Sequence, residues 1–98
     1  MSAKPSDVHD GAERRLATAG LRYTANRRAL VDALSKADDP MSIPELMRGI
    51  PGASQSSVYR NLTDLSVAGV VARVQGTDEW ARFELSEDIT GHHHHMVC

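Results

Sequence analysis

Behind Thr24 the apolar residues Ala25, Ala29, Leu30, Ala33 and Leu34 recur at the three-and-four interval of a helix that buries one face. Thr24 stands at its N-cap position, and the pattern runs out near Lys36, where Asp38-Asp39-Pro40 breaks it. A shorter helix is predicted ahead of it, from about Gly11 to Thr18 with a stop at Gly20. Met1 to Asp10 has no periodicity and reads as a flexible tail. Ser42-Ile43-Pro44-Glu45 is a capping box with proline tolerated in the first turn, which predicts a short third helix to about Gly49. Pro51-Gly52-Ala53 is a tight connection, and Ser54 caps a fourth helix whose Val58, Leu62 and Leu65 form one stripe ending at Gly69. The period then changes. Val70 to Gln75 is a β-branched run, Gly76-Thr77-Asp78-Glu79 has turn chemistry, and Trp80 to Leu85 alternates, so a hairpin follows the helices. The expected fold is mainly α with a small β-hairpin (α+β): a winged helix-turn-helix of about four helices and then a two-stranded wing.

At 98 residues and 41% apolar content the chain holds one small domain. The wing pattern ends by residue 87, so 11–87 is the expected domain and 88–98 a following hinge. No apolar run is long enough to span a bilayer, and no charged-then-apolar leader follows Met1, so the expectation is a cytoplasmic protein with no membrane role. The net charge of -2 argues weakly against nucleic acid, but its distribution changes that picture. Arg14, Arg15, Arg22, Arg27 and Arg28 fall in a segment without an acid, whereas Asp78, Glu79, Glu84, Glu87 and Asp88 face only Arg82. A basic patch supplies phosphate attraction that the whole-chain sum conceals; a solvated helix face is the plainer reading of the same arginines.

The fourth helix carries its own chemistry on the face opposite its apolar stripe. Arg60 has the bidentate donor geometry that matches guanine, Tyr59 can pack on a thymine methyl, and Ser56 and Ser57 near the helix start can bond phosphates. The C-terminal run His92-His93-His94-His95-Met96-Val97-Cys98 gathers imidazoles and the lone thiol, ligands that zinc and its neighbours prefer. An expression tag is the bland alternative, though such a tag does not ordinarily continue into an apolar pair and a cysteine. In an extended segment His93 and His95 would face one site, and His92 and His94 another.

Ala19-Gly20-Leu21-Arg22-Tyr23-Thr24, Ser57-Val58-Tyr59-Arg60-Asn61-Leu62, Phe83-Glu84-Leu85 and the His-rich run into Cys98 resemble, in order and approximate spacing, the repressors of the ferric uptake regulator (Fur) family. The resemblance covers nearly the whole chain from Gly11. It implies a bacterial, metal-dependent, DNA-binding transcriptional repressor, not an enzyme, controlling metal-homeostasis or oxidative-stress genes. Double-stranded DNA carrying an AT-rich palindromic operator is the implied partner, and the full-length protein is implied to be a homodimer. Tyr59 and Arg60 fall on the family's base-contacting pair, and Arg22, with Tyr23 and Arg27 near it, falls where a basic residue enters the adjacent minor groove. Glu84, His93 and His95 match ligands of a hinge metal site, His92 and His94 match the ligands of a further site, and Cys98 matches the first cysteine of a structural zinc site. The regulatory ion is Fe2+, Zn2+, Mn2+ or Ni2+, with Zn2+ the structural one.

Two departures follow. The family continues beyond Cys98 through a second cysteine into a dimerisation domain, so a fragment of a longer regulator, itself monomeric and weakly binding, is expected. The loop between the second and third helices lacks the histidine that many members contribute to the hinge site; Asp38, Asp39 or, more remotely, His9 would have to replace it. A metal-independent winged-helix DNA-binding regulator with a tag, a winged-helix protein-interaction module, and a small zinc hydrolase are the alternatives. The hydrolase is disfavoured because no pocket with an open metal position and a nearby base is evident.

Overall fold

The computed structural model describes residues 5–74, 81–86 and 89, with residues 5–7 defined in backbone only. Its elements are α1 (Pro5–Thr18), α2 (Ala25–Lys36), β1 (Met41–Ser42), α3 (Ile43–Arg48), α4 (Gln55–Val67), β2 (Val71–Val74) and β3 (Arg82–Leu85). The caps form where the sequence places them. Thr24 accepts from the Arg27 amide, Ser54 accepts from the Ser57 amide, and Ser42 and Glu45 make both halves of a capping box. Each satisfies amides that a helix start would otherwise leave orphaned.

Helices α1 and α4 stop in the same way. Gly20 (φ +79°) and Gly69 (φ +82°) take the left-handed conformation one residue past the C-cap. The next amide then bonds back across the last turn, Leu21 to the Leu16 carbonyl at 2.8 Å and Val70 to the Leu65 carbonyl at 2.9 Å. The apolar stripes meet in one core, in which Leu16, Leu30, Val31, Leu46, Leu62, Leu65 and Val70 are fully buried and Phe83 of β3 closes one side. Burial of each such side chain stabilises the fold by about 1.5 to 3 kcal/mol relative to exposure.

The structure alters the sequence-based expectation in two places. The tail does not extend to Asp10: α1 begins at Pro5, and Val8, Ala12 and Leu16, spaced by four, lie buried on one face. Gly11 interrupts the pattern for a packing reason, since a Cβ there would meet the Ile89 side chain at 3.0 Å. The expected two-stranded wing is present as β2 paired with β3, and β1 adds a third strand in the order β1-β3-β2, all antiparallel. Met41 pairs with Phe83 and Ser42 with Arg82, so the residues just ahead of α3 cover the outer edge of β3. The turn at residues 76–79 and Trp80 lie outside the described residues. No described helix is long and apolar enough to cross a membrane.

Candidate nucleic-acid interface

The connection from α3 to α4 runs through residues 49–54. Ala53 donates to the Ile50 carbonyl at 3.2 Å across Pro51 and Gly52, and Gly52 has φ +88°, the conformation that the third position of a type II turn requires. It presents α4 with Val58, Leu62 and Leu65 against the core and Ser56, Tyr59, Arg60 and Thr63 outward. Tyr59 is 54% exposed, which is high for an aromatic side chain and leaves its ring available to a partner. Arg60 is also exposed. Its side chain lines a hollow of about 370 Å³ together with Thr24 and Asn26 from the start of α2 and Ser56, Ser57 and Asn61 from α4. The lining holds donors and one cation but no carboxylate, which suits an anionic ligand.

The basic segment divides. Arg14, Arg22 and Arg28 are exposed, the last lying 5.6 Å from the Tyr23 ring centroid in a cation–π arrangement. Arg15 instead donates to the Gly69 carbonyl at 2.8 Å, tying α1 to the end of α4. Arg27 is likewise committed to the fold. Its guanidinium donates to Asn61 Oδ1 at 3.1 Å, to the Arg22 carbonyl at 2.7 Å and to Asp64 Oδ2 at 2.5 Å, and only 13% of its side chain is exposed. The expectation that Arg27 stands toward solvent or ligand is therefore corrected: the helix periodicity puts it off the apolar stripe, but the acceptors on α4 draw it inward. Asp64 and Asn61, one turn apart on the polar side of α4, were the signal for this clamp.

Tyr23 is half-buried and engaged from both sides. Its hydroxyl lies 2.5 Å from His9 Nδ1, and His9 Nε2 lies 3.7 Å from Asp32 Oδ1, which favours the tautomer in which Nδ1 accepts the phenolic proton. Burial pushes the Tyr23 phenol up to about 12; Arg28 opposes that rise, and Asp32 and Glu13 add to it. Lys36, hydrogen-bonded to Asp32 at 3.0 Å, chiefly holds the Asp32 carboxyl below its usual range. His9 is thus a buried partner of Tyr23 and does not fit as a replacement hinge ligand, whereas Asp38 and Asp39 are exposed.

Glu84 projects from β3 opposite Ala72, exposed. An exposed carboxylate on a strand held at both edges is chemically suited to ligate a hard or borderline cation. Among the described residues no group of three or more histidine, cysteine or acidic side chains comes together to hold a metal ion. His92, His93, His94, His95 and Cys98 lie outside the described residues. Two residues back on the same face of β3, Arg82 donates to Glu45 Oε1 at 3.0 Å, and the Ser42 amide donates to the same oxygen at 2.9 Å. These bonds, the Ser42 amide first, hold the Glu45 carboxyl below its usual range and lock the capping box to the wing.

Residues 18–98 match the model of the ferric uptake regulator family. Ferric uptake regulation protein 1 of Mycolicibacterium fortuitum is 36% identical over 86 residues, covering 85% of this chain and 52% of that protein. The chain thus spans about half the length of this curated relative. The structure superposes on the Helicobacter pylori ferric uptake regulator with a TM-score of 0.73 at 21% identity, over 85% of this chain and 58% of that one, a likeness of fold. The Pseudomonas aeruginosa ferric uptake regulator, solved with manganese, gives 0.63 at 33% identity over 87% and 66%.

Proposed function

The chain belongs to the ferric uptake regulator family, and from that premise we propose that it is the DNA-binding part of a metal-responsive transcriptional repressor of the bacterial cytoplasm, a regulator and not an enzyme. The observation that carries this reading is the outward face of α4: Ser56, Tyr59 and Arg60 exposed on a helix whose other side is locked into the core, beside a groove without a carboxylate. In this reading α4 lies in the major groove, Arg60 donates to guanine O6 and N7, Tyr59 packs on a thymine methyl, and Ser56 and Ser57 bond the backbone. Arg22 and Arg28, exposed at the start of α2, supply positive charge at the flank of the same face. Tyr23 holds that flank in place from beneath rather than touching the duplex.

Glu84 with His93 and His95 would hold the regulatory ion, His92 and His94 a further one, and Cys98 would contribute to a structural Zn2+ site. A divalent ion would supply multidentate coordination that joins strand and hinge. Glu84 sits on the strand that Arg82 and Phe83 fix to β1 and α3, so a constraint applied at Glu84 reaches the body of the domain and not a loose loop. In a homodimer that constraint sets the separation of two recognition helices, which must match half-sites about 34 Å apart.

Anisotropy of a labelled AT-rich palindromic duplex titrated with the chain tests the reading, with Fe2+, Zn2+, Mn2+, Ni2+ or chelator and at two salt concentrations. Salt-steep binding that one ion strengthens is the expected result. Salt-steep binding indifferent to every ion would leave a winged-helix regulator without a metal switch, and no duplex binding would leave an interaction module.

A further inference from the structure

Three side chains, Asn26, Ser57 and Asn61, are common to two adjoining hollows, the one that reaches Arg60 and a second of about 260 Å³ under the α3–α4 turn. They form the saddle between the start of α2 and the first turns of α4. Asn61 is the most constrained of them. An amide of this kind can ordinarily be turned either way, but here a guanidinium, which has donors only, faces one side of it. Arg27 Nε donates to Asn61 Oδ1 at 3.1 Å, and the guanidinium is itself held by Asp64 and by the Arg22 carbonyl. The Asn61 NH2 group must therefore face the other way, toward Ser57 Oγ at 3.5 Å. At that distance the bond is at the limit of a real one and leaves donor capacity on the saddle.

Resting on the DNA-binding reading, we propose that Asn61 is a sequence-neutral phosphate contact and that Arg27 is its positioning residue, fixing the amide with its donors outward. A duplex that seats Arg60 at a base edge carries its backbone beside the helix, and the saddle next to Arg60 offers neutral donors to a phosphate oxygen. The role of Arg27 in binding is then indirect: it spends its charge on Asp64 and its geometry on Asn61.

The test uses operator and scrambled duplexes with the chain and two variants, each also followed by thermal melting. Asn61→Ala should weaken both duplexes equally, by roughly tenfold. The slope of log affinity against log salt should not change, because no charge is removed. Asn61→Asp keeps an acceptor for Arg27 and should melt no earlier than the parent, yet should weaken both duplexes beyond the alanine variant, because its second oxygen faces the phosphate. Unchanged affinity in Asn61→Asp, or a loss confined to the operator, would overturn the proposal. If the parent chain itself shows no salt-steep duplex binding, the DNA reading fails instead, and the two failures are told apart by that control.

Discussion

Arg27 on α2 and Arg60 on α4 carry the same charge on neighbouring helices and do opposite work. Arg27 is nearly enclosed, with acceptors from Asn61, Asp64 and the Arg22 carbonyl around its guanidinium. Arg60 stands exposed at a groove lined by hydroxyls and amides. The seam between α2 and α4 is a polar contact in which the guanidinium donors of Arg27 are matched, and the outer face of α4 is a surface whose donors face outward. A run of arginines in a sequence therefore mixes two populations, and only those whose donors remain outward can meet phosphate or base.

Removing each arginine should separate the two roles. Arg27→Ala leaves Asp64 without its partner at a partly buried site and should destabilise the fold by about 2 to 3 kcal/mol. Thermal melting should register this as a fall of roughly 10 to 20 °C for a domain of this size. Arg60→Ala should shift stability by less than about 0.5 kcal/mol. It should cost about 1 to 3 kcal/mol of operator affinity and relax base preference at one position, read by anisotropy against a set of single-base operator variants. Equal melting of the two variants would dissolve the distinction between seam and face. Equal loss on operator and scrambled duplex would remove base reading from Arg60 and leave it a phosphate contact.

The same distinction explains what the sequence disclosed. Thr24, Ser42 and Ser54 cap their helices because the acceptor and its amide lie three residues apart, and such short-range geometry is written in the local pattern. The stripe of Val58, Leu62 and Leu65 is legible for the same reason. The seam is not: Arg27 and Asp64 stand 37 positions apart, and only the tertiary packing of α2 on α4 brings them together. The start of α1 was hidden because its apolar stripe is sparse and Gly11 interrupts it, a glycine whose reason is the side chain of Ile89 at the other end of the domain. β1, two residues long, carries no periodicity and exists because β3 offers it an edge. Of the residues matched to the family's metal ligands, Glu84 alone falls among the described residues, so the histidine alternation stands on the sequence.

A smaller effect is expected at the capping box, where the start of α3 meets the wing. Ser42→Ala removes the acceptor for the Glu45 amide while the Arg82–Glu45 contact remains, and should cost about 1 kcal/mol. Melting of Ser42→Ala beside Arg82→Ala would show whether cap and wing contribute independently: additive losses mean two separate supports, and a shortfall means that Glu45 couples them.

Tyr23 gives the finest test, because it distinguishes a buried phenol from an exposed one by pH alone. The folded chain holds the Tyr23 phenol at about 12, above its ordinary value of 10.0, chiefly through burial. Between those values the unfolded chain releases this proton while the folded chain keeps it, so the folded state binds more protons and its stability falls as pH rises. The contribution is complete below about pH 10 and is lost by about pH 12. The informative quantity is the difference between the parent and Tyr23→Phe, in which every other contribution cancels. The variant lacks both the phenolic proton and the bond to His9, and should be less stable at neutral pH yet converge with the parent as the solution becomes alkaline. Parallel curves across that window, followed by circular dichroism on urea unfolding, would mean that the Tyr23 hydroxyl is open to solvent, and Tyr23 would then belong with Arg60 on the face rather than with Arg27 in the seam.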